Sequence, residues 1–121
     1  MKRKKKIIIG IGILVFGISL WSFGIVNKYN FLTAKLDIMN HNPKIVTVGF
    51  PIFSHTELNM ISEKYGFKNV NFGCIVTQSE LNGIDFYNAV MEEYLEKKNG
   101  INWRKKYNKE IDSLIKIKRL N

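Results

Sequence analysis

Apolar and polar positions follow two regimes along the 121 residues. Residues 7–26 are twenty consecutive positions without a charge, directly after Lys2, Arg3, Lys4, Lys5 and Lys6. At ~1.5 Å per helical residue such a run covers ~30 Å, the thickness of a hydrocarbon core. The pattern predicts a basic cytoplasmic flank over 1–6 and a transmembrane anchor over 7–26. Residues 27–43 read as a linker, helical in part through Phe31, Leu32, Leu36 and Met39, which can continue the membrane helix outward. His41 and Asn42 before Pro43 break it.

From residue 44 the periods shorten and alternate. Ile45, Val46 and Val48 make 44–50 a β-branched strand, which Pro51 ends because it cannot donate to a ladder. Ser54 with Glu57 forms a capping box for a helix that buries Leu58, Ile61 and Tyr65 and closes at Gly66. Residues 69–76 read as a second strand, with Gly73 marking a bulge or a close backbone approach. Thr77 and Glu80 repeat the capping box before a helix over 78–99. Its stripe is Leu81, Ile84, Asn88, Met91 and Leu95, widened by Tyr87, Val90 and Tyr94. Lys97 and Lys98 suit its negative end, and Gly100 ends it. Asn102 caps a last helix over 103–119, with Trp103, Tyr107, Ile111, Leu114 and Ile115 on one face. The expected architecture is α/β: an N-terminal transmembrane helix, then a small β-α-β-α-α domain over 44–121. A helix between the strands permits parallel pairing through a crossover. Two strands form a weak core, so the last two helices must supply most of the burial.

Charge changes the picture only when counted by region. The formal net charge is +9, but residues 2–6 supply five cations, and from residue 41 onward 12 Lys/Arg face 9 Asp/Glu, a net +3. The excess belongs to the membrane flank, which removes the usual argument from a basic protein to nucleic acid. The apolar run exceeds the 7–15 residues of a cleavable signal and lacks a small-x-small site, so an uncleaved signal-anchor is expected. Five cations before the run, against Lys28 and Lys35 after it, place the N-terminus in the cytoplasm and the domain outside a bacterial cell membrane. Trp21 and Tyr29 fall near the outer interface, where such rings gather. Gly10, Gly17 and Gly24 recur every seven residues, a stripe on which a second membrane helix could pack.

Candidate chemistry is sparse. His41 and His55 lack companions at ligand spacing apart from Glu57, so no metal site and no cofactor are expected. Cys74 is the single cysteine. It reads either as a small buried strand residue or as a thiol that bridges two chains or pairs with His55, although no orienting group or oxyanion site accompanies it. Asn88 interrupts an apolar stripe, which implies a buried amide with local partners or a ligand contact. The last helix carries seven Lys/Arg, either a solvated face or a contact with anionic lipid headgroups beside the anchor. No residue is assigned to catalysis.

Glu63, Lys64, Tyr65, Gly66 and Phe67 precede Gly73, Cys74, Ile75, Val76 and Thr77. Leu81, Asn82, Gly83 and Ile84 follow, then Tyr87 to Met91, then Asn99, Gly100, Ile101, Asn102 and Trp103. Together these stretches resemble the FEKKY domain, a small bacterial domain named for a Phe-Glu-Lys-Lys-Tyr motif. The leading Phe and one Lys are replaced, since Ser62 precedes Glu63, Lys64 and Tyr65. The resemblance spans about 44–114 and implies an envelope location, chiefly in Bacteroidota, without an activity. The expected protein is therefore single-pass, membrane-anchored and non-enzymatic. Its domain would bind a protein partner or self-associate, with the surface around Tyr87, Tyr94 and Trp103 as the contact and Trp103 better placed in the core. The rivals are a thiol-dependent envelope enzyme or factor using Cys74 and a small membrane-active regulator.

Overall fold

The computed structural model describes residues 1–51 and 53–120; Asn121, the last residue of the expected domain, lies outside them. The chain is mostly helical, with five α-helices and one two-stranded parallel sheet, so α/β describes it only loosely. The 21-residue α1, Lys2–Ser22, buries none of its residues and is long and apolar enough to cross a membrane.

The apolar run continues to residue 26, but the helix stops at Ser22. Gly24 adopts φ 68°, its N–H donates to the Trp21 carbonyl (3.1 Å), and the Ile25 N–H reaches back to Leu20 (3.1 Å). This is a Schellman closure, which needs a left-handed residue that glycine adopts without strain. Gly24 therefore ends α1 and does not belong to a packing stripe with Gly10 and Gly17.

The linker does not extend α1. Asn30 starts a separate helix, α2 (Phe31–Met39): its side chain accepts from the N–H groups of Leu32 (2.9 Å) and Thr33 (3.0 Å) and donates to the carbonyls of Ile25 (3.0 Å) and Asn27 (2.8 Å). One amide thus caps the helix and folds the approach to it. Tyr29 and Ala34 are buried in the main core, so Tyr29 is a core ring and not an interfacial one.

Strands β1 (Lys44–Thr47) and β2 (Lys68–Asn71) pair in parallel, from Lys44 opposite Lys68 to Thr47 opposite Asn71, joined through α3 (His55–Ser62) and a 3-10 turn, Glu63–Tyr65. Both strands are shorter than their apolar runs. Beyond Thr47 and Asn71 the backbones still meet, with Phe72 N–H donating to the Thr47 carbonyl (2.8 Å) and Gly49 N–H to the Gly73 carbonyl (2.8 Å). A Cβ on Gly73 would meet nothing within 4 Å, so the close approach expected there does not form; its φ of 111°, past the strand end, is what favours glycine. The chain then turns into α4 (Gln78–Asn99), and α5 (Trp103–Leu120) returns. Both predicted capping boxes form, Ser54 with Glu57 and Thr77 with Glu80.

The core lies between the sheet and the helices. Tyr87, Met91 and Leu95 of α4 are completely buried against Ile45, Val46 and Phe67, and Trp103 and Tyr107 of α5 close one end. Tyr65, Phe67, Trp103 and Tyr107 stack at centroid distances of 5.3–6.2 Å, in the range where tilted and edge-on ring pairs attract.

Two poles follow from these contacts. At one, the start of β2 and the 3-10 turn meet the end of α4, where Asn99 Nδ2 donates to the Tyr65 carbonyl (2.7 Å). At the other, the strand ends lie with the first turns of α3 and α4 and with the end of α5, where Lys118 Nζ meets Glu57 of α3 at 3.0 Å. Helix α1 joins this second, strand-end pole. Ser79 Oγ donates to the Trp21 carbonyl (2.7 Å), Asn82 Nδ2 to that of Ser22 (2.7 Å), and the backbones at Gly24 and Gly83 touch.

Candidate functional site

A groove of about 330 Å³ opens at the strand-end pole, between the end of β1 and the start of α3. In parallel sheets the crevice outside the carboxyl ends of the strands is where ligands bind, because loops and helix N-termini converge there. Among the described residues, Val48, Phe50, Phe53 and Leu58 give the groove its apolar character, while Asn69 and Asn71 of β2 bring amides to it.

Asn69 sets this groove apart. It is 7 % exposed; its backbone N–H donates to Asn59 Oδ1 (3.0 Å) and its Oδ1 accepts weakly from the Tyr107 hydroxyl (3.4 Å). Its Nδ2 has no acceptor among the described residues. A buried donor without a partner costs ~1–3 kcal/mol, so such a group calls for an explanation. Asn71, its neighbour on the same face, is engaged by contrast, with Nδ2 donating to the Gly49 carbonyl (2.9 Å).

Charges at the rim are tied to the scaffold. Glu57 accepts from Lys118 and from the N–H and hydroxyl of Ser54, and these bonds, that of Lys118 first, hold its carboxyl below the usual glutamate range. Lys118 also lies over the Phe53 ring, 4.9 Å from its centroid. Further along α5, Glu110 is held low by the Tyr65 hydroxyl (2.7 Å) and Lys64 (3.0 Å), while desolvation, then Glu110 itself, raises Tyr65. Neither set contains a nucleophile aligned with a base.

The residues singled out from sequence scatter. His55 lines the groove, exposed, but Glu57 is committed to the cap and to Lys118, so the two do not make a ligand pair. His41 is exposed and ends α2 at φ 57°. Cys74 is an exposed thiol on the loop after β2, not a buried strand residue, because the strand ends at Asn71 and the loop turns outward. Among the described residues no hydrogen bond joins it to His55, and no three His, Cys, Asp or Glu side chains converge as a metal site would require. Asn88 finds the local partners expected of it. Its Nδ2 donates to the Val46 carbonyl (2.7 Å) and its Oδ1 accepts from the Val46 N–H (2.9 Å), so one amide satisfies the free edge of β1. Tyr87 and Trp103 are core residues, 0 % and 3 % exposed, which removes them from any contact surface. Tyr94 is half-buried against the same core.

Two features had no sequence expectation. The Tyr87 hydroxyl donates to Asp37, which also faces Lys44 at 3.7 Å; burial, then this carboxylate, push the Tyr87 hydroxyl far up. The one acid in the mostly apolar 31–39 segment was the available signal. The groove itself was signalled by an apolar run that continues past the strand, through Val48, Phe50 and Phe53.

Comparison with known proteins adds no assignment: no family model, no curated protein and no solved structure matches the chain.

Proposed function

We propose that this is a single-pass, membrane-anchored binding protein of the bacterial envelope. Its N-terminus is cytoplasmic, its domain lies outside the cell membrane, and the groove at the strand ends is its binding site. The unpartnered Nδ2 of Asn69 beside an apolar groove carries the reading. It suits a ligand with an apolar body and one hydrogen-bond acceptor, and its role is binding, not catalysis. The orientation is supported by the five cations of residues 2–6 against Lys28 and Lys35 beyond α1. Gly10 and Gly17 still share a stripe on α1, so self-association through this helix stays part of the proposal alongside a protein partner. Membership of the FEKKY-domain family is likewise proposed. The stretches that carry the resemblance meet in space, with Tyr65 and Phe67 stacked on Trp103.

A cysteine at the far pole provides the topology test. Ile101 is exposed, so Ile101→Cys in a Cys74→Ala background should be labelled by a membrane-impermeant maleimide in intact cells; labelling only after lysis overturns the orientation. For the groove, a photoreactive phenylalanine analogue at Val48 should give a discrete adduct in native membranes. Asn69→Leu should abolish that adduct while leaving the fold intact, and an adduct indifferent to Asn69→Leu removes the groove as the site. Cys74→Ala with unchanged binding separates this reading from a thiol-dependent one. An effect produced by residues 1–26 alone would favour a membrane-active regulator.

A further inference from the structure

Large apolar side chains reach solvent on several faces of the domain, Met39, Met60 and Ile101 among them, but the two most exposed between residues 2 and 120 lie together. The loops after β1 and β2 lie side by side, held by the Gly49 N–H on the Gly73 carbonyl (2.8 Å). Phe50 on the first is 89 % exposed and Ile75 on the second 95 %. Two loop tips thus present large apolar groups almost fully to water, which a soluble surface tolerates singly but rarely as a cluster. The second loop leads directly into the first turn of α4, the turn that holds the end of α1 through Ser79 and Asn82. Around the same exit Trp21, Phe23 and Val26 are exposed as well.

The end of α5 reaches this pole too, since Lys118 pairs with Glu57 on the first turn of α3. Leu120 and Ile117 are exposed there, beside Lys116 and Arg119, which pair with no carboxylate among the described residues. The acids nearby are largely committed: Glu57 and Glu80 belong to capping boxes, and Asp85 on the second turn of α4 is exposed. The pole is therefore apolar at its loop tips and modestly basic at its edge, the composition that suits a headgroup layer with some anionic lipid.

We infer that the strand-end pole rests on the bilayer surface from which α1 emerges, with Phe50 and Ile75 seated among the lipid headgroups. This rests on α1 being a membrane anchor. The argument is continuity: the exposed apolar tips adjoin the exit of the apolar helix, and the hydrogen bonds at Trp21 and Ser22 hold the pole to that exit. The groove belongs to the same pole, so its mouth meets the lipid surface and its ligand arrives along the membrane.

The test uses the full chain, one copy per nanodisc, with an environment-sensitive fluorophore on Cys74. The control carries the dye at the opposite pole, as Ile101→Cys in a Cys74→Ala background. Lipids spin-labelled near the headgroup should quench the Cys74 dye several-fold more than the Ile101 dye, and aqueous iodide should show the reverse order. Phe50→Ser with Ile75→Ser should bring the two positions together, and replacing phosphatidylglycerol by phosphatidylcholine should move them part of the way. Equal lipid quenching at the two positions overturns the inference. Protection of Cys74 from iodide without lipid quenching also overturns it, in favour of a protein covering the pole. Failure of the anchor itself reads differently, as chain that does not co-purify with the discs.

Discussion

Asn88 offers a decisive test of how the sheet is held. Its amide makes two hydrogen bonds to Val46, at 2.7 and 2.9 Å, on a strand that has no neighbour on that side. Val46 is buried, so its N–H and carbonyl have little water to turn to. Asn88→Leu keeps the size and removes both partners. Each orphaned group costs ~1–3 kcal/mol, so the pair predicts a loss of about 2–5 kcal/mol after some return from the apolar side chain. For a domain near 100 residues this lowers the midpoint by ~10–30 °C, a large share of a total stability of ~5–15 kcal/mol. The assay is thermal unfolding of the full chain in detergent, followed by Trp103 fluorescence in a Trp21→Phe background. Asn88→Asp sharpens it. A carboxylate keeps the acceptor for Val46 N–H but opposes the Val46 carbonyl, so this variant should gain stability, relative to wild type, as acid protonates it. A change below about 0.5 kcal/mol on Asn88→Leu, the range of inconsequential surface substitutions, would refute the account.

Other consequences can be measured on the same preparation. A Cβ on Gly83 would overlap the Tyr29 carbonyl oxygen and stand 3.0 Å from that of Gly24, so Gly83→Ala should part α1 from α4 and speed tryptic cleavage after Lys28. If instead Ala simply adds its helix propensity of ~1 kcal/mol with unchanged cleavage, the close packing is wrong. Glu57 and Glu110 titrate below their ordinary 4.5 in the folded protein, so their contribution is complete above that value and drains away as pH falls through the lowered folded values. Glu110→Gln should flatten the acid side of the stability profile and leave its shape near neutrality unchanged; an unchanged acid limb speaks against the Tyr65 and Lys64 contacts.

What was legible in the sequence was local and periodic. The two capping boxes, the 78–99 helix and the burial of Trp103 all rest on residues within a turn or two of each other, or on a stripe with a clear period. The errors arose where a distant segment decides. Nothing near residue 24 reveals that Gly83 lies against it, so the apolar run was carried through a helix stop. Tyr29 was assigned to an interface because its partner rings, Phe72 and Tyr87, are more than forty positions away. Cys74 sits in a β-branched neighbourhood, yet the strand ends three residues earlier, at Asn71. The groove depends on two loops and a helix start converging, and the unpartnered amide of Asn69 appears only once its surroundings are built.

The joint between Gly24 and Gly83 has a mechanical consequence. With no slack chain between α1 and the domain, any tilt of α1 becomes a rotation of the whole head. Membrane helices lean by ~20° on average and adjust their lean to bilayer thickness. From Gly83 to Asn99 helix α4 extends ~24 Å from the pivot, so a lean altered by ~10° carries its far end through ~4 Å. With α1 as the proposed anchor, a thinner or thicker bilayer would set how steeply the head stands, and the protein's posture would become a gauge of its membrane.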